Sequence, residues 1–420
     1  MSSLRRSARF HAAALLAFAH AIAPSLHASS HPWPQFRGPT GDGIAQVRSV
    51  PLSWNATSNV AWKTSVPGRG WSSPVLAHGK VFLTTAIPAG ASNQFHFVAL
   101  AYDAHTGQAS WQTTVFPPST NTPSAHAKNS YASPTPLVDG DRVYVHFGPM
   151  GTACLDLTGR VLWKNHSLTF DSKHGNGGSP ILVGGRLIFT CDGVDNPFLA
   201  ALDAETGHVS WKTPREANAT RKFSFGTPTA IPVGDGFQVV SPASGCAAAY
   251  DPQDGREIWR VRHDGYSVIP KPVFGHGLVY LGTGFNTPFA LAIRPDGSGD
   301  VTESHLQWTL RRGAGQTPSF LLDGDQLFLL ADNGILTCAH ARTGEIHYQE
   351  RACGPSSASP ILANGHLYLL DEQGLGVVVA RGTEFRKIAE NPLGERTLAS
   401  YAVTEGSLYI RTESHLFHIQ

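Results

Sequence analysis

LDAETGHVSW, residues 202–211, sets an aspartate, a Thr-Gly pair and a tryptophan at fixed offsets. The chain writes close variants of it elsewhere. AYDAHTGQASW ends at Trp111, CLDLTGRVLW at Trp163 and AYDPQDGREIW at Trp259. AIRPDGSGDVTESHLQW is a stretched version ending at Trp308, and AHARTGEIHY ends at Tyr348. The local chemistry is that of a tight turn. Aspartate accepts backbone N–H bonds in an Asx-type turn, threonine braces it, and glycine takes positive φ without a Cβ clash. The structural positions are Asp103, Gly107 and Trp111; Asp156, Gly159 and Trp163; Asp203, Gly207 and Trp211; Asp251, Gly255 and Trp259; then Trp308 and Gly344. Each tryptophan falls on the strand after the turn, where a large flat ring fills the wedge between neighbouring sheets.

A second hairpin signal precedes each motif, as in PLVDGDRVYVHF, ILVGGRLIF and ILANGHLYLL. Its glycines, Gly79, Gly140, Gly185, Gly236, Gly277, Gly324, Gly365 and Gly406, recur at intervals of 41 to 61 residues. That period belongs to propeller blades, and each unit reads as four short strands A to D. After Gly406 the chain offers only strands B and C. The absent strand D is expected from NVAWKTSV, whose Trp62, Lys63 and Thr64 match Trp211, Lys212 and Thr213. The expectation is an all-β, eight-bladed propeller of four-stranded antiparallel blades, closed by the N-terminal strand.

Composition agrees with this class. Charged residues make up 15% and the net charge is +1, which argues against disorder and against non-specific nucleic-acid binding. Gly 43 and Pro 29 against Met 2 suit many turns between short strands. Arg5 and Arg6 followed by the apolar run Ala12 to Ala23 read as an export signal over 1–28. The organisation expected is therefore a signal peptide, a loop-like extension over 29–58, and a propeller over 59–420. No cysteine follows the apolar run as a lipid anchor would require, no transmembrane segment is expected, and a periplasmic or secreted location follows. The five cysteines, Cys154, Cys191, Cys246, Cys338 and Cys353, form no CxxC or CxxCH. They read as small buried hydrophobes, with at most two disulfides.

The A-x-D-x-x-T-G-x-x-x-W string resembles the repeat of the pyrroloquinoline-quinone (PQQ) propeller superfamily. That superfamily includes quinoprotein alcohol dehydrogenases and the propeller lipoprotein of the outer-membrane barrel-assembly machinery. WPQFRGPTGDGIA, HGNGGSP, GYSVIPKPV and LGERTLASYAV look like segments of secreted PQQ-binding-like repeat proteins. The resemblance implies the fold, while its members include both enzymes and scaffolds. Its dehydrogenases imply PQQ stacked on a tryptophan beneath adjacent cysteines, calcium held by carboxylate and amide, and an aspartate base. This chain has no adjacent cysteines and no haem motif, and Trp71 is its plausible stacking tryptophan.

Turns A–B and C–D share one face of the disc, so loops B–C and D–A surround the channel mouth on the other. The D–A loops carry Arg69 and Trp71; His126, Lys128, Asn129 and Tyr131; Lys173, His174 and Asn176; Arg221 and Lys222; Tyr266 and Lys271; Arg311 and Arg312; Arg396 and Tyr401. Cations beside aromatic and amide groups suit an anionic or sugar-like ligand. Asp296, Ser298, Asp300 and Thr302 mimic the start of a calcium loop, but Val301 and Gln307 occupy the places of its glycine and glutamate. An extended turn explains that run, and no metal is assigned. The functional expectation is a non-catalytic protein binding an envelope or extracellular protein, or an anionic or carbohydrate ligand, with no nucleic acid and no cofactor. The alternatives are an oxidoreductase using PQQ with calcium on an alcohol or sugar, and an envelope assembly scaffold.

Overall fold

In the computed structural model, residues 32–90, 93–119, 122, 124–216 and 219–420 are described; the segment read as an export signal lies outside them. Eight sheets of four antiparallel strands follow one another around an axis. Blades 1 to 7 span 75–116, 137–165, 181–214, 229–262, 273–310, 321–351 and 361–392. Blade 8 takes Ala402–Thr404, Ser407–Arg411 and His415–Ile419 from the C-terminal end, and Val60–Ser65 from the N-terminal side as its outer strand. The register is Trp62 opposite His418, Lys63 opposite Phe417 and Thr64 opposite Leu416, so the closure read from the sequence is the one found. The core lies between sheets. Tyr144 and Cys154 of blade 2, for example, pack on Leu187, Phe189 and Leu202 of blade 3.

The repeated motif does mechanical work. Asp203 Oδ1 accepts from the Thr206 amide and hydroxyl at 2.9 and 2.8 Å, and Asp103 repeats this with Thr106. Each strand-D tryptophan then lies on the turn glycine of the next blade. Trp211 Nε1 donates to Pro252 O at 3.1 Å, while its ring sits where a Cβ on Gly255 would be, 2.5 Å from the nearest ring atom. Trp62 on Gly107, Trp111 on Gly159, Trp163 on Gly207 and Trp308 on Gly344 repeat the contact. The exception is Trp259, which donates to Gln238 Oε1 instead. There the stretched motif of blade 5 places Gly299–Asp300 parallel to the outer strand of blade 4, pairing Trp259 with Gly299. Asp300 of that run accepts from Thr302 and Arg262.

Two expectations need correction. In blade 4 the positive-φ glycine of the A–B turn is Gly234, with Gly236 already in strand B. More consequentially, the part of the expected extension that is described is a plug. Trp33 bridges Leu76 of blade 1, Pro34 O accepts from Val138 N of blade 2, and Ile44–Ala45 pairs parallel with the inner strand of blade 7. Gly41 meets Lys271 at the entry to blade 5, so the segment reaches across the channel from blades 1 and 2. Trp33 and Arg37 are each 1% exposed. Arg37 donates to Phe320 O and Pro360 O of blades 6 and 7 and to Asp42 O of the plug, spending its donors on carbonyls rather than on a carboxylate.

Candidate functional site

The channel above the plug is a cavity of about 560 Å³, within the range of small-molecule sites. Its floor comes from the residue two positions before each inner strand. Six of these eight positions precede proline, which holds them extended: Ser73, Thr135, Ser179, Thr227, Lys271 and Ser359. The remaining two are Ser319 and Ser400. Each blade's amide donates to the hydroxyl of the next. Ser73 N reaches Thr135 Oγ1 at 3.0 Å, Thr135 N reaches Ser179 Oγ at 2.9 Å, and Ser179 N reaches Thr227 Oγ1 at 2.9 Å. Across the break at Lys271 the chain resumes through Ser319, Ser359 and Ser400, whose amide closes the circle on Ser73 Oγ at 3.1 Å. Sequence reasoning missed this ring. The signal was present as a Ser-Pro or Thr-Pro pair opening successive repeats.

One wall is an arc of rings: His126 against His174 at 5.4 Å, His174 against Phe223 at 5.4 Å, Phe223 against Tyr266 at 6.2 Å and Tyr266 against Phe285 at 5.4 Å. The first three pairs are near perpendicular and the last is tilted at 60°, so faces and edges alternate along the wall. Arg221 lies over Tyr266 and donates to its hydroxyl at 2.8 Å. Burial, then the neighbouring His126, Lys173 and Arg221, lower the His174 pKa, which marks the rim as cationic. At the His126 end of the arc, Lys128 pairs with Glu372 at 2.8 Å, and Ser357 donates to the same carboxylate oxygen. That pair carries the loop between blades 1 and 2 across to blade 7. Phe36 rises into the cavity from the plug, and Asp332 is the one carboxylate among the lining residues, accepting from Gln316 N.

Seven of the seventeen loop residues named from the sequence line this cavity: Trp71, His126, Lys128, Asn129, His174, Arg221 and Tyr266. Arg396 does not line it but lies over the Trp71 ring at 5.3 Å. Arg69 pairs with Glu413 at 3.3 Å, Tyr131 packs on Phe95 at 4.4 Å, and Asn176 is buried beside Gly148. Tyr401 is a correction. It follows ring residue Ser400, so strand alternation turns it into the core, where it meets Trp54 and Tyr368 and donates to Leu369 O. Arg311 lies over Phe289 and Lys222 donates to Asp195 O, both outside the cavity lining. All five cysteines are buried and unpaired.

Lys271 is the second correction. It takes the eighth place in the ring, but its Nζ turns away from the cavity onto Gly41 of the plug. Burial, with Arg37 nearby and only partly offset by Asp42, lowers its pKa from 10.5 to about 7. Between those two values the unfolded chain holds more protons than the folded one, so this residue makes stability rise with pH from 7 towards 10.5. Lys271→Met is therefore expected to melt higher than wild type at pH 7, with the gap closing towards pH 10. Parallel pH profiles of the two melting temperatures would refute the assignment.

The family described as "Outer membrane protein assembly factor BamB" matches residues 50–194, 132–265, 195–319 and 247–384. The dehydrogenase subunit of a quinone alcohol dehydrogenase from Komagataeibacter europaeus is 25% identical over 301 residues, 66% of this chain and 36% of that protein. The chain thus spans about a third of that curated relative. Among solved structures, the fold is shared with BamB from Moraxella catarrhalis, at a TM-score of 0.59 and 13% identity over 84% of this chain and 95% of that one. It is also shared with the quinohemoprotein alcohol dehydrogenase of Comamonas testosteroni, at 0.68 and 13% over 92% and 80%. A europium-containing methanol dehydrogenase gives 0.63 and 11% over 90% and 89%.

Proposed function

Because the chain belongs to the family of the outer membrane protein assembly factor BamB, whose fold quinoprotein dehydrogenases share, we propose that it is a non-catalytic, periplasmic or secreted binding protein. In this reading it holds an anionic or sugar-like small molecule in the axial cavity. The observation that carries it is the cavity itself: closed below by the plug, walled by alternating ring faces and edges, floored by hydroxyls and rimmed by Lys128 and Arg221. Among the described residues no helix is long and apolar enough to cross a membrane. The test is calorimetric titration with uronates, sulfated glycans and neutral glycans. At least one class should bind, and Tyr266→Ala or Arg221→Ala should weaken it about tenfold, the scale of one lost stacking or charge-assisted contact. Full affinity in both variants would place binding elsewhere. Phe285, 48% exposed at the mouth, favours a second reading in which a segment of an envelope protein docks there.

The residues present do not fit the quinone and metal that the dehydrogenase relatives imply. A calcium site needs several carboxylate or amide oxygens. Among the described lining residues Asp332 is the single carboxylate, Asn129 Oδ1 already accepts from Ser130 N and Ser133 Oγ, and Gln316 adds only one further amide oxygen. Arg396 occupies a face of Trp71, the tryptophan on which a quinone would stack. The chain supplied with PQQ and calcium is accordingly expected not to reduce an artificial acceptor with simple alcohols or aldoses. Cofactor-dependent turnover lost in Asp332→Asn would overturn this and favour the oxidoreductase.

A further inference from the structure

We propose that the floor of the cavity is an oxyanion seat, in which the hydroxyl ring donates to a carboxylate or phosphate group of the ligand. This rests on the reading of the cavity as a ligand site and names the group that enters deepest. Each of the seven ring hydroxyls is at most 5% exposed and accepts one backbone N–H from its neighbour. A hydroxyl has one proton to donate besides its acceptor lone pairs. Among the described residues none of the seven donates that proton to a protein acceptor, while all seven line the cavity. The floor therefore offers donors from seven blades towards one axial space.

The same oxygens have lone pairs left, so a cation is the competing occupant, and the surrounding charge decides between them. Lys271, at the eighth place in the ring, and Arg37 of the plug lie below the floor. Among the described residues Arg37 is hydrogen-bonded only to carbonyls, and neither it nor Lys271 forms an ion pair with a carboxylate. Asp42 is the acidic group nearest to them, and it is held by Thr40 and Ile44 N. Above the floor the lone carboxylate among the described lining residues, Asp332, is turned to Gln316 N and is offset by Arg221 at the rim, where Lys128 is already paired with Glu372. The Arg37 guanidinium below, a Lys271 that an incoming anion would hold protonated, and free donors around the circle are the conditions for an anion. Phe36, among the same lining residues, gives the apolar body of such a ligand a surface to rest on.

The test uses the whole chain and three probes at constant ionic strength: acetate, inorganic phosphate and chloride. Acetate or phosphate should raise the melting temperature along a saturable curve that chloride does not reproduce. A response to acetate alone identifies the group as a carboxylate, and a response to phosphate alone identifies it as a phosphate. Ser179→Ala should weaken the effective anion about tenfold, whereas Thr135→Ser, which keeps a hydroxyl, should leave it within about twofold. Lys271→Met, expected to fold more stably than wild type, should also weaken it, which separates lost binding from lost structure. Indistinguishable curves for the three anions, or saturable binding untouched by both Ser179→Ala and Lys271→Met, would overturn the seat. Neutral-glycan binding that is lost in Tyr266→Ala would still stand in that case, so failure of the seat is distinct from failure of the cavity reading.

Discussion

A chain beginning at Asn59, which keeps the closing strand but lacks the plug, is expected to melt far below one beginning at Pro32, and a chain beginning at Pro67 is expected to show no cooperative transition. The plug carries Trp33 and Trp54, at 1% and 4% exposure, into the core cluster shared by blades 1, 7 and 8. Losing a buried aromatic costs about 3 to 5 kcal/mol, so the pair accounts for roughly 6 to 10 kcal/mol before the Arg37 bonds are counted. That is comparable to the whole stability of a typical protein, about 5 to 15 kcal/mol. The chain from Pro67 also loses Val60–Ser65, the outer strand of blade 8, and opens the ring at the seam between its ends. Thermal melts by circular dichroism of the three chains decide the matter. A chain from Asn59 that melts within about 3 °C of the longest one would mean that the plug is decoration.

The contrast between that segment and the blades explains what could be read from the sequence. The blades are local objects. A turn such as Asn364–Gly365, with both residues at positive φ, is specified by two neighbouring residues, and eight copies make the pattern unmistakable. The plug occurs once, contains no periodic pattern, and takes its conformation from blades distant in the chain, so Arg37 bonding Phe320 O and Pro360 O leaves no trace in spacing. The site falls between these extremes. Loop residues that share a face, such as His126, His174 and Tyr266, were legible because the topology puts every D–A loop at one mouth. Which way each side chain turns was not. Tyr401 and Lys271 sit where the loop becomes strand, and there a shift of one residue exchanges channel for core.

The last expectation separates mechanics from chemistry in the motif that repeats along the chain. Trp211→Ala removes a ring that is 8% exposed, is hydrogen-bonded to Pro252 O and covers Gly255, and should cost about 3 to 5 kcal/mol. Gly255→Ala should also be costly, for two reasons that can be told apart. Its φ of +74° strains any L-residue, and its new Cβ would stand 2.5 Å from the Trp211 ring. Only the second penalty disappears when the ring is gone. The double variant Trp211→Ala with Gly255→Ala should therefore lose less than the sum of the singles, by roughly 1 to 3 kcal/mol, the coupling usual for residues in direct contact. Urea denaturation of the four proteins measures it. Ligand affinity at the far end of the blade should be unchanged in whatever fraction remains folded, because Trp211 touches the turn face and not the cavity. Additive losses would show that tryptophan and glycine act independently. Lost affinity with unchanged stability would move the tryptophan from the wedge to the site.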